Sequence, residues 1–326
     1  MNAHRVNVLN IGLMLAAWAA AWVLPFELFL LAYALLGPLH YLTQISWLHQ
    51  HDYFAGRRRD AWGLFALCGV FLLLEWGSPE EQMRVWAPLL NGLALGTAAA
   101  LVFCRDRLSR GAVLVACAAA ALLVADTKSG HDWLRIFLPT LVHVSLFTGA
   151  FMLYGALKGR STSGLWSVGV FVACSVSFFV LPRVPLEASP DPTVVANYSS
   201  FWVVNQAAAE WLGFGGLTSL ADMFQSAAGV TIMRFIAFAY TYHYLNWFSK
   251  TSVIQWHRIP RAWALVNVVL WLGSVALYLH DYRTGLVALF ALSFLHVYLE
   301  LPLDHRAFAG IGSELRAIRR HGWRRG

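Results

Sequence analysis

Charge is scarce in this chain. Only 13% of its 326 residues are Asp, Glu, Lys or Arg, against 59% hydrophobic. A soluble domain carries about 25% charged residues. Long apolar runs recur along the whole length, so neither a soluble fold nor a soluble domain on a single anchor fits. Cysteine is also sparse. The four present, Cys68, Cys104, Cys117 and Cys174, all lie inside apolar runs, and no CxxC occurs. That excludes a disulfide scaffold and a thiolate-bound zinc or iron–sulfur site. No Walker loop, GxGxxG or HExxH is found, nor an HxxxH or HxxHH box. Ser and Asp near His are too scattered for a hydrolytic triad. Strand-like alternation over barrel-length segments is missing. No internal repeat or low-complexity segment is visible.

What remains is a series of apolar stretches rich in Trp, of which there are 15, with a mean hydropathy of +0.57. Backbone in lipid must satisfy its own hydrogen bonds, so the runs are read as helices. The sequence predicts an all-α polytopic bundle, one domain over 1–326, with about ten spans. They cover roughly 6–24, 26–48, 61–76, 86–104, 111–126, 134–157, 165–182, 229–249, 263–280 and 285–303. The N-terminal run is long and resembles the rest, so it reads as the first span and not as a signal peptide. Most basic residues fall in one set of alternate segments, among them Arg57–Arg59, Arg105, Lys158, Lys250 and the Arg-rich tail. By the positive-inside rule both termini are cytoplasmic. A bacterial inner membrane is the expected location. The net charge of +7 then reflects topology and anionic lipid, and no nucleic-acid partner is needed. One outer segment is long, 183–229. Within it 201–216 is too polar to span and reads as an interfacial or re-entrant helix.

Twelve histidines are many for so apolar a chain. Four fall inside spans: His40, His143, His243 and His296. In the alternating topology all four ride on helices running the same way and reach similar depth. Each has a polar neighbour three or four residues away on its own helix face: Thr43 and Gln44, Thr140, Tyr240 and Asn246, Ser293 and Glu300. That pattern suits metal ligands whose second ring nitrogen is held by a polar group. It also suits a proton or ion pathway, or unconnected hydrogen bonds between helices. A second layer, His49, His51, His257 and His305 with Asp52 and Asp304, is expected at the cytoplasmic rim. His49 lies nine residues beyond His40, and His305 nine beyond His296. Nine helical residues rise roughly 13 Å and turn to the opposite side, so the layers are separate candidate sites. All-imidazole ligation with Glu300 nearby suits non-haem iron, then copper or zinc.

Four stretches resemble, in order, motifs of the bacteriorhodopsin-related-protein-like (Brp/Blh) β-carotene dioxygenases. They are LLGPLHYLTQISW around His40, TLVHVSLF around His143, FAYTYHYLNWF around His243 and ALSFLHVYLELPLDHR around His296. The acid that follows the first His of the family is absent here, with Gln44 as the nearest polar residue. So is the paired His just beyond the third. The resemblance implies a multi-pass membrane enzyme in which four histidines hold Fe(2+) and a lipophilic substrate such as a carotenoid meets dioxygen.

The expected function is therefore a membrane oxygenase or oxidoreductase, with the metal on His40, His143, His243 and His296. Glu300, Tyr240 and Asn246 are the candidate catalytic or orienting residues. Tyr244, Trp247, Phe147 and Tyr298 would line the substrate path, and the basic face would dock an electron-donor protein. The alternative is a proton- or ion-coupled transporter with the histidines as a relay. A non-catalytic assembly protein is the third reading.

Overall fold

A computed structural model describes residues 3–182, 186, 189–215 and 217–323. Among them the regular structure is entirely helical. Ten long helices follow in order: α1 Ala3–Val23, α2 Pro25–Gln50, α3 Arg58–Gly77, α4 Glu81–Phe103, α5 Arg107–Ala125, α6 Gly130–Lys158, α7 Thr162–Val180, α8 Ala227–Ser249, α9 Arg261–His280 and α10 Tyr282–His321. All except α8 are long and apolar enough to cross a membrane. By length and composition, these nine helices are of the kind that an integral membrane protein carries. The eighth expected span is too polar to count with the others, and burial explains why. From Gly229 to Trp247 every residue except Phe235 and Leu245 is buried. It faces protein on all sides and does not need a lipid-compatible surface.

The helices begin where polar caps allow. Asp106, Ser161, Ser226 and Asp281 each accept the backbone N–H of the third residue on, at the starts of α5, α7, α8 and α10. Gly229 permits the start of α8, because a Cβ there would lie 2.5 Å from the Asp222 and Met223 carbonyls. α5 is the outermost helix, with 6% of its apolar window buried against 61% for α2. It packs closely on α4, where a Cβ at Gly92 or Gly96 would meet Ala121 or Cys117. Such small residues let helices approach where lipid supplies no hydrophobic drive.

The core is divided. One apolar cluster is built mainly on α1, α2, α7 and α8; the other joins α3, α4 and α10. α2 and α6 run between them. The segment expected at 183–229 supplies short helices Pro192–Tyr198, Trp202–Trp211 and Leu220–Gln225. Trp202–Trp211 is too short to cross a bilayer. It closes over one end of α8, with Ala207, Ala208 and Ala209 buried. Phe201, just before it, stacks its edge on Phe29 and Tyr33. Arg183, Pro185, Gly216, Arg324 and Arg325 lie outside the described residues.

Two helices depart from regular α geometry close to the buried histidines. Turns of the wider i→i+5 kind occupy Ala32–Leu36 in α2 and Trp133–Phe147 in α6. Pro139 lies inside the second. It has no N–H, and in this register the missing bond is the one to the Leu134 carbonyl. Asn91 of α4 fills the gap. Its amide donates to Leu134 O at 2.8 Å, and its oxygen accepts from the Tyr298 hydroxyl of α10 at 2.9 Å. One buried amide therefore ties α4, α6 and α10 together.

Asn91→Leu should leave a buried carbonyl and a buried hydroxyl without partners, at about 1–3 kcal/mol each. A clearly lower thermal midpoint of the detergent-solubilised protein is expected. An unchanged midpoint would show that this amide does not hold α6.

Candidate metal centre

His40 of α2, His143 of α6, His243 of α8 and His296 of α10 come together at the seam between the two cores. All four are buried, at 1–7% exposure. One ring nitrogen from each lies within 4.8 Å of the other three. His243 Nε2 and His40 Nε2 are 3.0 Å apart, and His296 Nε2 and His143 Nε2 are 3.2 Å apart. A metal–nitrogen bond of about 2.1 Å puts neighbouring ligand nitrogens about 3 Å apart. The donor set and its spacing therefore fit a metal ion held by four imidazoles. Among the described residues this is the one group of three or more His, Cys, Asp or Glu placed to do so.

The outer nitrogens are held unequally. His243 Nδ1 meets the Thr148 hydroxyl of α6 at 2.7 Å. When Nδ1 donates there, Nε2 turns its lone pair to the centre, the tautomer a metal takes. His143 Nδ1 stands 3.5 Å from the Glu300 carboxylate. His296 Nδ1 makes no closed hydrogen bond. His40 Nδ1 has no hydrogen-bond partner. Rings complete the enclosure: Tyr41 stacks on His296 at 4.2 Å, and its hydroxyl lies 2.9 Å from that of Tyr244.

Several expected neighbours turn elsewhere. Thr43 donates to the Leu39 and His40 carbonyls and accepts from the Trp247 indole. Thr140 donates to the Ile136 carbonyl. The Asn246 oxygen lies 3.5 Å from the Tyr242 hydroxyl. Glu300 stands 3.5 Å from His143, on another helix, without a closed hydrogen bond to it, and Gln44 lies beside it. Tyr240 packs on Phe29 and Tyr33. Phe147 and Tyr298 belong to the second core.

Thr148 went unseen in the sequence because it is five residues from His143. That spacing shares a face only where turns are widened, as they are up to Phe147. Asp304 is the other omission. It was expected at the rim, yet it is 1% exposed, because α10 runs on through Pro302 to His321. Glu300 and Asp304 thus form a buried carboxylate pair one turn apart, and neither Asp304 oxygen has a partner.

The four rim histidines do not gather. His49 Nδ1 bonds the Tyr53 hydroxyl, His51 Nδ1 the Trp47 carbonyl and His305 Nδ1 the Leu301 carbonyl. His257 is exposed beside Trp256. Asp52 is paired with Arg58 at 3.1 Å.

Two cavities meet at the cluster. The larger, about 340 Å³, has His40, His243, Thr148 and Glu300 at its inner end. It extends to the end of the bundle that carries the start of α1. The smaller, about 70 Å³, lies on the opposite side, among His143, His243, His296, Tyr33, Tyr240 and Tyr244. His243 lines both.

Thr148→Val keeps the shape and removes the hydroxyl. Metal affinity should fall by about 10–100-fold, the usual cost of losing such an orienting bond, read by chelator competition. Unchanged affinity would mean that His243 is fixed by packing alone. No known protein family matches this chain, and neither does any curated protein or solved structure. Function therefore rests on the chemistry of the site itself.

Proposed function

We propose that the protein is a metal-dependent membrane oxygenase, with iron(II) on His40, His143, His243 and His296 and a lipophilic substrate in the larger cavity. The observation that carries this reading is the buried four-imidazole cluster, whose ligand atoms lie within 4.8 Å at the inner end of a largely apolar chamber. The resemblance of the four histidine motifs to the Brp/Blh dioxygenases supports it, as does all-nitrogen ligation, which suits iron, copper and zinc. Bound iron(II) would supply a centre that reacts with dioxygen. The chain's own residues do the rest. Thr148 fixes the ring of His243, and Glu300 stands by the ring of His143. Trp247 and Phe151 give the chamber an apolar wall. The surrounding aromatic rings exclude bulk water. The basic residues expected on the cytoplasmic side would dock an electron-donor protein.

A second reading draws on one observation, the small cavity on the far face of the same cluster, where three of the histidines stand with Tyr33, Tyr41, Tyr240 and Tyr244. Imidazoles between two chambers also suit a proton- or ion-coupled transporter.

The test is metal content of the protein purified in mild detergent, by mass spectrometry, beside His40→Ala and His243→Ala. Close to one equivalent of iron is expected, lost in both variants together with oxygen consumption on lipid extracts. Protein free of metal after iron supplementation, but conducting protons in liposomes, would replace the oxygenase with the relay.

A further inference from the structure

The larger cavity has a direction. Along α8 His243, Asn246 and Trp247 follow at the spacing of one helix face, Lys250 caps the end of that helix three residues on, and all four line the cavity. Lys250 lies seven residues beyond His243, about 10 Å along the axis at 1.5 Å per residue. Among the described residues Lys250 is the one Lys or Arg on the cavity wall. It makes no ion pair there. The acid on the wall, Glu300, stands at the other end with the imidazoles. Asn7 and Ser161 add neutral hydrogen-bonding groups.

The mouth is braced. The Trp47 indole donates to the Ile254 carbonyl at 2.9 Å, which pins the turn after Lys250. The Trp247 indole donates to Thr43 at 3.0 Å, which fixes the wall between head and centre.

We propose that this cavity binds a long-chain amphiphile with an anionic head, a carboxylate or a phosphate monoester. Its head sits at Lys250 and its chain points to the four histidines. A cation at one end, a carboxylate at the other and a largely apolar wall between them leave one orientation for such a molecule. The reacting carbon then lies well down the chain, away from the head. Desolvation pushes the Lys250 amine down to about 8, so it is still mainly protonated at neutral pH and gains from an anionic partner. Binding rests on the cavity alone; only the fate of the chain rests on the oxygenase reading.

The full chain in nanodiscs of zwitterionic lipid is titrated with palmitate, hexadecyl phosphate and methyl palmitate, each displacing a fluorescent fatty acid. At least one anionic probe should bind about tenfold or more tighter than the ester, the worth of a charged hydrogen bond in a partly buried site. Palmitate alone would mark a fatty acid, the phosphate alone a phosphorylated lipid. Lys250→Met should abolish the preference and Lys250→Arg should keep it. Equal binding of ester and acids by the wild-type protein overturns the proposal without any variant, as does a preference that survives Lys250→Met. Metal content is read on the same samples. Iron present with no head-group preference sinks this inference alone. A preference without iron sinks the oxygenase and leaves the ligand class standing.

Discussion

A polar ring in the middle of an apolar bundle must find a partner, and here four rings find one another. That constraint organises the molecule. Each imidazole comes from a different helix, so α2, α6, α8 and α10 must meet at one depth. The other helices complete the apolar surroundings. α1 and α7 cover α8, α3 and α4 cover α10, and α5 lies outside on α4. The widened turns of α6 follow from the same demand. They bring His143 to the cluster and Thr148 to His243 from one helix. The Asn91 amide makes good the bond that Pro139 cannot form.

Much of this was legible in the sequence, for physical reasons. Apolar runs of crossing length have no stable alternative to helix in lipid, so nine of the ten long helices could be placed on that ground; α8 is helical too, but it is buried and too polar to count as a span. The burial of His40, His143, His243 and His296 followed from their position inside such runs. What escaped was anything that depends on contact between helices. A regular helix pairs residues three or four apart, so Thr148 was invisible. Glu300 was assigned to its own helix, whereas its carboxylate reaches across to His143. Asp304 was read as a rim residue because the last expected span stopped at 303, but the helix continues through Pro302 to His321. His49 and His51 were part of a possible second site at the rim. In the structure they serve a tight link, in which Asp52, Tyr53 and Phe54 all take positive φ and His49 braces Tyr53.

The surroundings of the centre are as informative as the ligands. Its two faces differ in size: one opens to a chamber of about 340 Å³, the other to a pocket of about 70 Å³ among tyrosines. The carboxylates approach from α10 alone. A cluster walled in this way presents different chemistry to molecules arriving from its two sides, and His243 belongs to both walls.

The separation of the ligands along the chain has a consequence for biosynthesis. His40 and His243 are 203 residues apart, and His143 and His296 are 153 apart. The last ligand, His296, stands on α10. A ribosome-bound chain therefore has no completed cluster until α10 has been made. The centre is a late product of assembly, and it can be filled only in a chain whose helices have already been sorted into their final neighbours.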